Sequence, residues 1–499
     1  MSAYNVMSKW RTPGAGVSGI EVGMSLSRSR SAPLRGALAR VAGAGFVVAA
    51  LLLGGCGDAG SASFPLPRSA AAAVATAPVP EIRRAPTTAP PAATCEAIGQ
   101  HLGGNAMQQQ HRGASGVQAR YDEDTNTIEV QRGQAVTLPA LSRALGRPAA
   151  LRELAPGEWL LAANLQIAEG AEVTIAAPEV RRLKLLSDAW GFVWIKALGG
   201  VLRIDGACVT SWDTTRNDVD RNYDDGRSFI LARSGATMTV NAAELSYLGY
   251  DANESYGVAW RLKDTSGSIS QTTLGYNFYG LYAYQVTGLV VRGNEVHHSV
   301  HYGIDPHTKS NKLVIENNSA HHNGKHGIIL AEGCYDSIIR NNRSYSNAMH
   351  GIVLYHGAHH NLVEGNVVYD NGLEGININD SHKNTIRQNT VYSNAKAGIG
   401  VGQSAEDNTV ASNTVFENHE DGIALYSEAR ATLLRANIVR DNVRYGIYVK
   451  SAENEIAGEH HISGNRIGVY LNVSPAPVVS LETNRIYDNR EDDLRITAP

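Results

Sequence analysis

The side chains best suited to chemistry lie in one hexapeptide, Tyr302-Gly303-Ile304-Asp305-Pro306-His307. It holds a phenol with a usual pKa near 10, a carboxylate, and an imidazole with a usual pKa near 6.5. Alternate side chains of a strand share a face, so Asp305 and His307 are predicted to project together beside Tyr302. Pro306 interrupts regular strand hydrogen bonding, which a merely solvated surface does not need. Such a patch can remove a proton from a substrate and return it.

A repeat through the C-terminal half of the chain must position this patch. Glycines recur every 22 to 24 residues and open apolar runs such as GIIL, GIVL and GIAL. They are Gly257, Gly280, Gly303, Gly327, Gly351, Gly375, Gly398, Gly422, Gly446 and Gly468. A period this short fits one coil of β-strands, whereas helical hairpins need more than about 30 residues. The sequence therefore predicts an all-β fold, a right-handed parallel β-helix.

Asparagines recur at the same interval as the glycines. One series is Asn294, Asn318, Asn342, Asn366, Asn389, Asn413, Asn437 and Asn484. A second series, five residues later, includes Asn323, Asn347, Asn371, Asn394, Asn418, Asn442 and Asn489. Stacked asparagines can bond each other's amides at turns and tolerate a left-handed backbone, so we expect both series to lie at corners of the coils.

One sheet of the helix is predicted to form the working surface. The first and third residues after each glycine are apolar, as in Ile328 and Leu330, and should face the core. The second and fourth should project outward, and they include Tyr282, Tyr284, Tyr355, Asn377 and Asn379. Coils about 4.8 Å apart match roughly one sugar of an extended polysaccharide. This track is therefore predicted to bind a glycan, although the same side chains would also serve simply to solvate the sheet.

The residues immediately before the glycines flank the same sheet. Histidines stand there in the two coils after the hexapeptide, at His326 and His350, and Lys325 precedes the first. These three residues join Tyr302, Asp305 and His307 as catalytic candidates.

The composition limits the classes of partner that the chain is expected to bind. The chain has 499 residues and a formal net charge of −4, with both signs mixed. Nothing in this balance recruits nucleic acid or an anionic membrane surface. A solenoid grows by adding coils, so one long domain over residues 95–499 accounts for the length. No metal spacing is present among its cysteines, and no cofactor is expected.

The N-terminus predicts export. Four arginines between residues 28 and 40 precede an apolar run at residues 41–53, which ends in Leu53-Gly54-Gly55-Cys56. We expect residues 1–56 to form a lipoprotein signal peptide whose lipobox directs a lipid onto Cys56; an uncleaved anchor is the alternative. Residues 57–94 are rich in Ala and Pro and are predicted to be a disordered linker. The chain would then be held at a membrane of the cell envelope through its lipid.

The hexapeptide resembles the YG(I/F)DPH signature of mannuronan C5-epimerases, which convert β-D-mannuronate to α-L-guluronate within alginate. The similarity is greatest to the periplasmic, calcium-independent branch and covers roughly residues 155–455. Further matching segments are 157–159, 168–171, 200–205 with Trp212, 229–232, 248–250, 255–258 and 325–329. The resemblance implies an isomerase acting on a polyuronate in the periplasm, within an exopolysaccharide secretion complex.

The resemblance also implies roles for residues. His307 matches the proposed base, Tyr302 matches a tyrosine implicated in the secreted branch, and Asp305 completes the motif. His350 resembles a further active-site histidine of that branch.

Two positions depart from the family pattern. Thr308 follows the hexapeptide where the family has Asp or Glu, and Glu332 stands where the periplasmic branch has a carboxylate-neutralising arginine. Without a cation, an ionised carboxylate strongly opposes carbanion formation. Lys325 and Arg261 are the candidates to replace that arginine.

Two alternatives to epimerisation remain open at this stage. A polysaccharide lyase begins its β-elimination with the same proton abstraction. A non-catalytic surface lipoprotein would bind glycan along the tyrosine and asparagine track and leave it unchanged.

Overall fold

The computed structural model describes residues 115–497, which form a parallel β-helix with three faces, here called A, B and C. The predicted fold is confirmed. The predictions for residues 1–56, for residues 57–94 and for Cys56 fall outside the described residues. Within 115–497, no helix combines the length and the apolar character that crossing a membrane requires.

Face A carries the hexapeptide. Its strands are Thr127–Thr137, Asn164–Ala168, Trp194–Leu198, Phe229–Arg233, Gly257–Arg261, Tyr279–Tyr284, Ile304–His307, Ile328–Ala331, Ile352–Tyr355, Ile376–Asn379, Ile399–Gly402, Ile423–Leu425, Tyr445–Val449, Ile467–Leu471 and Asp492–Ile496.

Face B begins with the second half of Thr127–Thr137, which passes from one face to the next. Its other strands are Ala171–Ala176, Val201–Asp205, Thr237–Asn241, Ser266–Ser270, Val290–Arg292, Val314–Glu316, Ile338–Arg340, Leu362–Glu364, Thr385–Arg387, Thr409–Ala411, Leu433–Arg435 and Glu455–Ile456.

Face C closes each coil. Its strands are Glu158–Leu161, Arg182–Asp188, Cys208–Asp213, Glu244–Ser246, Thr273–Gly275, Glu295–His297, Ser319–His321, Arg343–Tyr345, Val367–Tyr369, Thr390–Tyr392, Thr414–Phe416, Ile438–Arg440, His461–Ser463 and Arg485–Tyr487. Short antiparallel strands are added at Leu151–Ala155, Gly191–Phe192 and Asp218–Val219.

A cap covers the N-terminal end of the β-helix over the residues that the structure describes. The strand Ser115–Asp122 pairs antiparallel with Thr127–Thr137, and the α-helix Leu138–Leu145 follows directly. The hydroxyl of Thr137 accepts the N–H of Ala140 at the start of this helix, and Gly146 ends it with a left-handed φ of 60°. Leu138 and Leu141 bury its apolar side, so the cap keeps water from the first coils.

The asparagine series bond between coils as predicted. The side-chain amide of Asn342 donates to Oδ1 of Asn366 at 3.0 Å and to the carbonyl of Ile315 at 2.9 Å. The left-handed conformation predicted for the asparagines of the series that contains Asn342 is wrong. That conformation is adopted by the preceding residue of the chain, as at Asn341, which has a φ of 55°. A third series, missed in the sequence, runs through Asn361, Asn384 and Asn408.

The glycine series reflects close packing of successive coils. A Cβ atom at Gly327 would lie 2.1 Å from Oγ of Ser344 and 2.9 Å from the carbonyl of Gly351. Any larger residue would therefore force the coils apart. Elsewhere in the wall, Cys334 is a buried free thiol and Cys208 is disulfide-bonded.

Candidate active site

The hexapeptide occupies face A in the predicted orientation. Ile304 enters the apolar core, and the strand is in register with the previous coil so that Asp305 lies beside Tyr282 and His307 beside Tyr284. Asp305 and His307 therefore share the outer side of the sheet.

Asp305 is more buried than a surface position suggests, with 1 % of its surface exposed. It interacts electrostatically with Lys325, Tyr302 and Tyr282, and its Oδ1 has no hydrogen-bond partner among residues 115–497. Burial raises the pKa of Asp305 to about 8, although the charge of Lys325 opposes this. Asp305 is thus predominantly a neutral acid at pH 7.

His307 is a neutral imidazole at pH 7. Burial, assisted by the charge of Arg261, lowers its pKa to about 4. Its Nδ1 lies 2.7 Å from the hydroxyl oxygen of Thr308, and within the described chain Nε2 has no hydrogen-bond partner. When Nδ1–H donates to that hydroxyl, Nε2 keeps its lone pair for a substrate proton. Thr308 can therefore orient the imidazole.

Arg261 is the cation next to His307. Its guanidinium lies 4.6 Å from the ring centre of Tyr284, the residue paired with His307. Nη1 donates to Oδ1 of Asn253 at 2.8 Å, whereas the buried Nε has no partner in the described residues. Arg261 is thus held in place with one donor still unused.

Lys325 lies on the Asp305 side. Its Nζ is 5.1 Å from the ring centre of Tyr302. Burial lowers the pKa of Lys325, while the carboxylates of Asp305 and Asp251 oppose that shift. Both candidate cations are therefore near the hexapeptide, at opposite ends of it.

Tyr302, His326 and His350 form a stack across three coils. The rings of Tyr302 and His326 are 5.2 Å apart, and those of His326 and His350 are 4.9 Å apart. Burial raises the pKa of Tyr302, with Asp305 adding to the shift, and it lowers the pKa of His326 well below its usual value. The backbone N–H of His350 donates to Nδ1 of His326, so the proton of this neutral ring is on Nε2. The stack ends where Nδ1 of His350 lies 3.1 Å from Oε2 of Glu374.

The predicted substrate track is only partly exposed. Tyr282 is buried beneath its neighbours, while Tyr284 and Tyr355 are half-buried. Asn377 and Asn379 lie on the same side of face A, three coils beyond the hexapeptide, and are half-buried. The side chains accessible to a ligand thus run along several coils.

Glu332, the residue that departs from the family pattern, follows the strand Ile328–Ala331 of face A. It lies at a corner with φ of 55°, and its side chain is 41 % exposed. Its Oε2 is 3.8 Å from Nε2 of His356. The carboxylate that appeared obstructive in the sequence thus has His356 of the next coil as a neighbour.

The segment that contains Asp251 and Asn253 borders the site and was not recognised in the sequence. Asn253 holds Arg261, and Asp251 interacts with Lys325 and with His301. Asp251 and His301 also line a cleft of about 300 Å³ with Tyr223, Asp224, Tyr250, Phe278 and Val300. The segment lies outside the repeat, so no periodic signal could reveal these contacts. No set of three or more His, Cys, Asp or Glu side chains in 115–497 is arranged to hold a metal ion.

Two families match parts of the chain. The family described as "Right handed beta helix region" matches residues 256–415, and that described as "Periplasmic copper-binding protein (NosD)" matches residues 398–498. Both matches lie within the solenoid.

Sequence relatives agree with the resemblance. A mannuronan C5-epimerase of Pseudomonas aeruginosa is 29 % identical over 177 residues, which are 33 % of this chain and 32 % of that protein. Mannuronan C5-epimerase AlgG of Azotobacter vinelandii is 31 % identical over 174 residues, or 32 % of each chain. The matched region thus spans about a third of the length of these relatives.

Solved structures agree on the fold. The crystal structure of the periplasmic alginate epimerase AlgG aligns with a TM-score of 0.60 at 22 % identity, covering 75 % of this chain and 85 % of that one. A single-substitution mutant aligns with a TM-score of 0.62 at 21 % identity, covering 84 % and 100 %. The chain therefore shares its β-helix with this epimerase, and its resemblance to the mannuronan C5-epimerases is confirmed in sequence over about a third of its length.

Proposed function

We propose that this protein is an isomerase that converts β-D-mannuronate to α-L-guluronate residues within a polyuronate chain. One observation carries the proposal: a neutral His307 lies beside a held arginine, on the outer side of a solenoid similar to mannuronan C5-epimerases, and a protonated Tyr302 belongs to the same hexapeptide. The substrate is an alginate-like polymer, and no cofactor is required.

His307 is the base in this proposal. Its Nε2 takes H5 from the uronate ring, and the electron pair left on C5 delocalises into the C6 carboxylate. The lowered pKa keeps the imidazole neutral, and the contact of Nδ1 with Thr308 favours the required tautomer. A correctly oriented general base contributes about 10²- to 10⁴-fold to the rate.

Arg261 neutralises the C6 carboxylate. Its place beside His307 favours it over Lys325, which interacts with Asp305. A fixed positive charge is most valuable as negative charge develops at C6 in the transition state. Lys325 would then hold the carboxyl of Asp305 and the ring of Tyr302 in position.

Tyr302 returns the proton to the opposite face of C5. Its phenol stays protonated at neutral pH because burial raises its pKa, so a proton is available there. Transfer of that proton to C5 leaves a tyrosinate, and the proton taken up by His307 is released to solvent, from which Tyr302 is reprotonated. His326 and His350 support the phenol through their stack.

Polymer lies along face A, with Tyr284, Tyr355, Asn377 and Asn379 as contacts on successive coils. Location in the periplasm is consistent with the names of the AlgG structures and of the NosD family. We also propose that Cys56 carries a lipid and that the protein belongs to an exopolysaccharide secretion complex.

Incubation of the full-length chain with polymannuronate in D₂O tests the function. We expect guluronate H1 signals to appear in the proton NMR spectrum, with deuterium at C5 of the product, and we expect neither change with the His307→Ala control. New near-ultraviolet absorbance from a carbon–carbon double bond would instead identify a lyase. Binding of the polymer without chemical change would contradict catalysis and leave only a glycan-binding role.

A further inference from the structure

A cluster of histidines lies on face C, away from the groove of face A. His297 ends one strand and His298 follows it, and in the next coil His321 ends the strand and His322 follows it. Within each pair the two Nδ1 atoms are 2.9 Å apart. Between coils the rings stack, at 5.5 Å for His297 with His321 and at 5.2 Å for His298 with His322.

Stacking alone does not require histidine at these positions. In later coils the inner position of this column holds tyrosine, at Tyr345 and Tyr369, with rings 4.9 Å apart. The outer corner holds serine at Ser346 and Ser393, with φ of 53° and 54°. The outer histidines, His298 and His322, are exposed and have the same φ within a few degrees. Within this column of face C, two adjacent imidazoles per coil thus occur in these two coils.

The separation of the nitrogens suits chelation. Two donors bound at 2.0–2.1 Å and at a right angle to each other are about 2.9 Å apart, whereas tetrahedral ligands are farther apart. Right-angled imidazole pairs are typical of tetragonal Cu²⁺ and Ni²⁺, and Cu²⁺ binds such donors most tightly.

Glu295 adds the support that metal-binding histidines usually have. Its Oε1 lies 3.1 Å from Nε2 of His321, so Nε2–H donates to the carboxylate and Nδ1 carries the lone pair. A carboxylate on the far nitrogen fixes the tautomer and increases the basicity of the donor.

We propose that each of the stacked pairs His297–His298 and His321–His322 chelates a transition-metal ion through two nitrogens and prefers Cu²⁺. Each pair supplies two nitrogens, and water completes the coordination, since no larger group of such ligands is arranged around one point in residues 115–497. Small rotations of the exposed rings turn both Nδ1 lone pairs toward the ion, and the Nδ1 proton shared within the pair moves to Nε2. This site is separate from the proposed epimerase chemistry.

Titration of the full-length chain with Cu²⁺, after purification without a polyhistidine tag, tests the site. A third pair, His359 and His360, has Nδ1 atoms 2.8 Å apart, so all proteins carry His360→Ser. We expect Cu²⁺ to give an electron paramagnetic resonance signal with nitrogen hyperfine structure. Adding His298→Ser and His322→Ser should weaken binding at least tenfold, and Glu295→Gln about tenfold.

The controls separate a metal site from a structural stack. Serine occupies the same corner in later coils, so the variant should retain the melting temperature of the parent within a few degrees. His419→Ser, which removes an exposed single histidine, should leave Cu²⁺ affinity unchanged. Equal affinity with and without His298 and His322, or a copper signal without nitrogen hyperfine structure, would overturn the proposal.

Discussion

Asp305 and Asp421 are both buried aspartates of the same solenoid, with 1 % and 0 % of their surfaces exposed, yet their surroundings differ. Arg444 donates to both oxygens of Asp421, at 3.1 and 2.7 Å, and the backbone N–H of Tyr445 donates to it as well. Asp305 has one oxygen without a partner in the described residues. A buried charge is tolerated when it is paired, so Asp421 is satisfied as part of the wall, whereas Asp305 is kept as an acid.

The same contrast extends to the coils around each residue. Near Asp305 the neighbours are aromatic rings and two cations, and the pKa of His307, Tyr302 and Asp305 all shift toward the neutral form. Near Asp421, charges of opposite sign face each other, as in Lys396 with Glu420 at 2.7 Å. Clustered neutral titratable groups are typical of sites that exchange protons. The grouping of neutral titratable side chains, more than burial itself, therefore marks the chemical region.

The largest expected effect is the loss of the base. His307→Ala should lower kcat on polymannuronate by at least about 10²-fold, because no other neutral imidazole lies on the hexapeptide strand. The melting temperature should change little, since His307 is outside the apolar core. Turnover is measured from guluronate H1 signals, with His419→Ala as the matched control. A variant that retains more than about a tenth of the parent rate would exclude His307 as base.

The second effect concerns the cation. Arg261→Gln should lower kcat about 10²-fold while weakening polymer binding less, because the charge acts mostly in the transition state. Lys325→Gln should have the smaller effect on kcat, since Lys325 faces Asp305. Glu332→Gln should be nearly neutral, because Glu332 lies at an exposed corner beside His356. The reverse order, with Lys325 more important than Arg261, would transfer the neutralising role to Lys325.

The third effect belongs to the wall. Arg444→Met leaves Asp421 buried without its partner and should reduce the free energy of unfolding by ~2–3 kcal/mol, less than for a fully buried pair because Arg444 is partly exposed. The rate per folded molecule should not change. Adding Asp421→Asn should recover part of the loss, as the amide carries no charge. Denaturant unfolding and initial rates are both measured; a fall in kcat at full folding would contradict the division between the two regions.

The sequence allowed much of this to be anticipated, because the repeat makes one strand of each coil predictable from the next. Glycine and asparagine recur at fixed intervals, and the alternation of Ile304, Asp305 and His307 follows from strand geometry. The degree of burial of individual side chains was not predictable in the same way. Asp305 is covered by side chains from neighbouring coils, and Arg261 is held by Asn253 from a segment outside the repeat. Such contacts join distant positions without any periodic signal.

A last expected effect, which directly tests the contrast between the two aspartates, is in the pH dependence of stability. The pKa of Asp305 is raised to about 8 in the folded protein, whereas an unfolded aspartate titrates near 3.9. Between these values the folded state holds a proton that the unfolded state has lost, so this residue stabilises the fold fully below about pH 4 and the contribution declines as pH rises toward 8.

Asp305→Asn cannot lose a proton, so its melting temperature relative to the parent should rise steadily from pH 4 to pH 8. The lowered pKa of His307 acts in the opposite direction between about pH 4 and 6.5, but it is present in both proteins and cancels in the difference. Thermal melts of both proteins at intervals of one pH unit provide the measurement, and a difference that is constant with pH would show that Asp305 is ionised in the folded state.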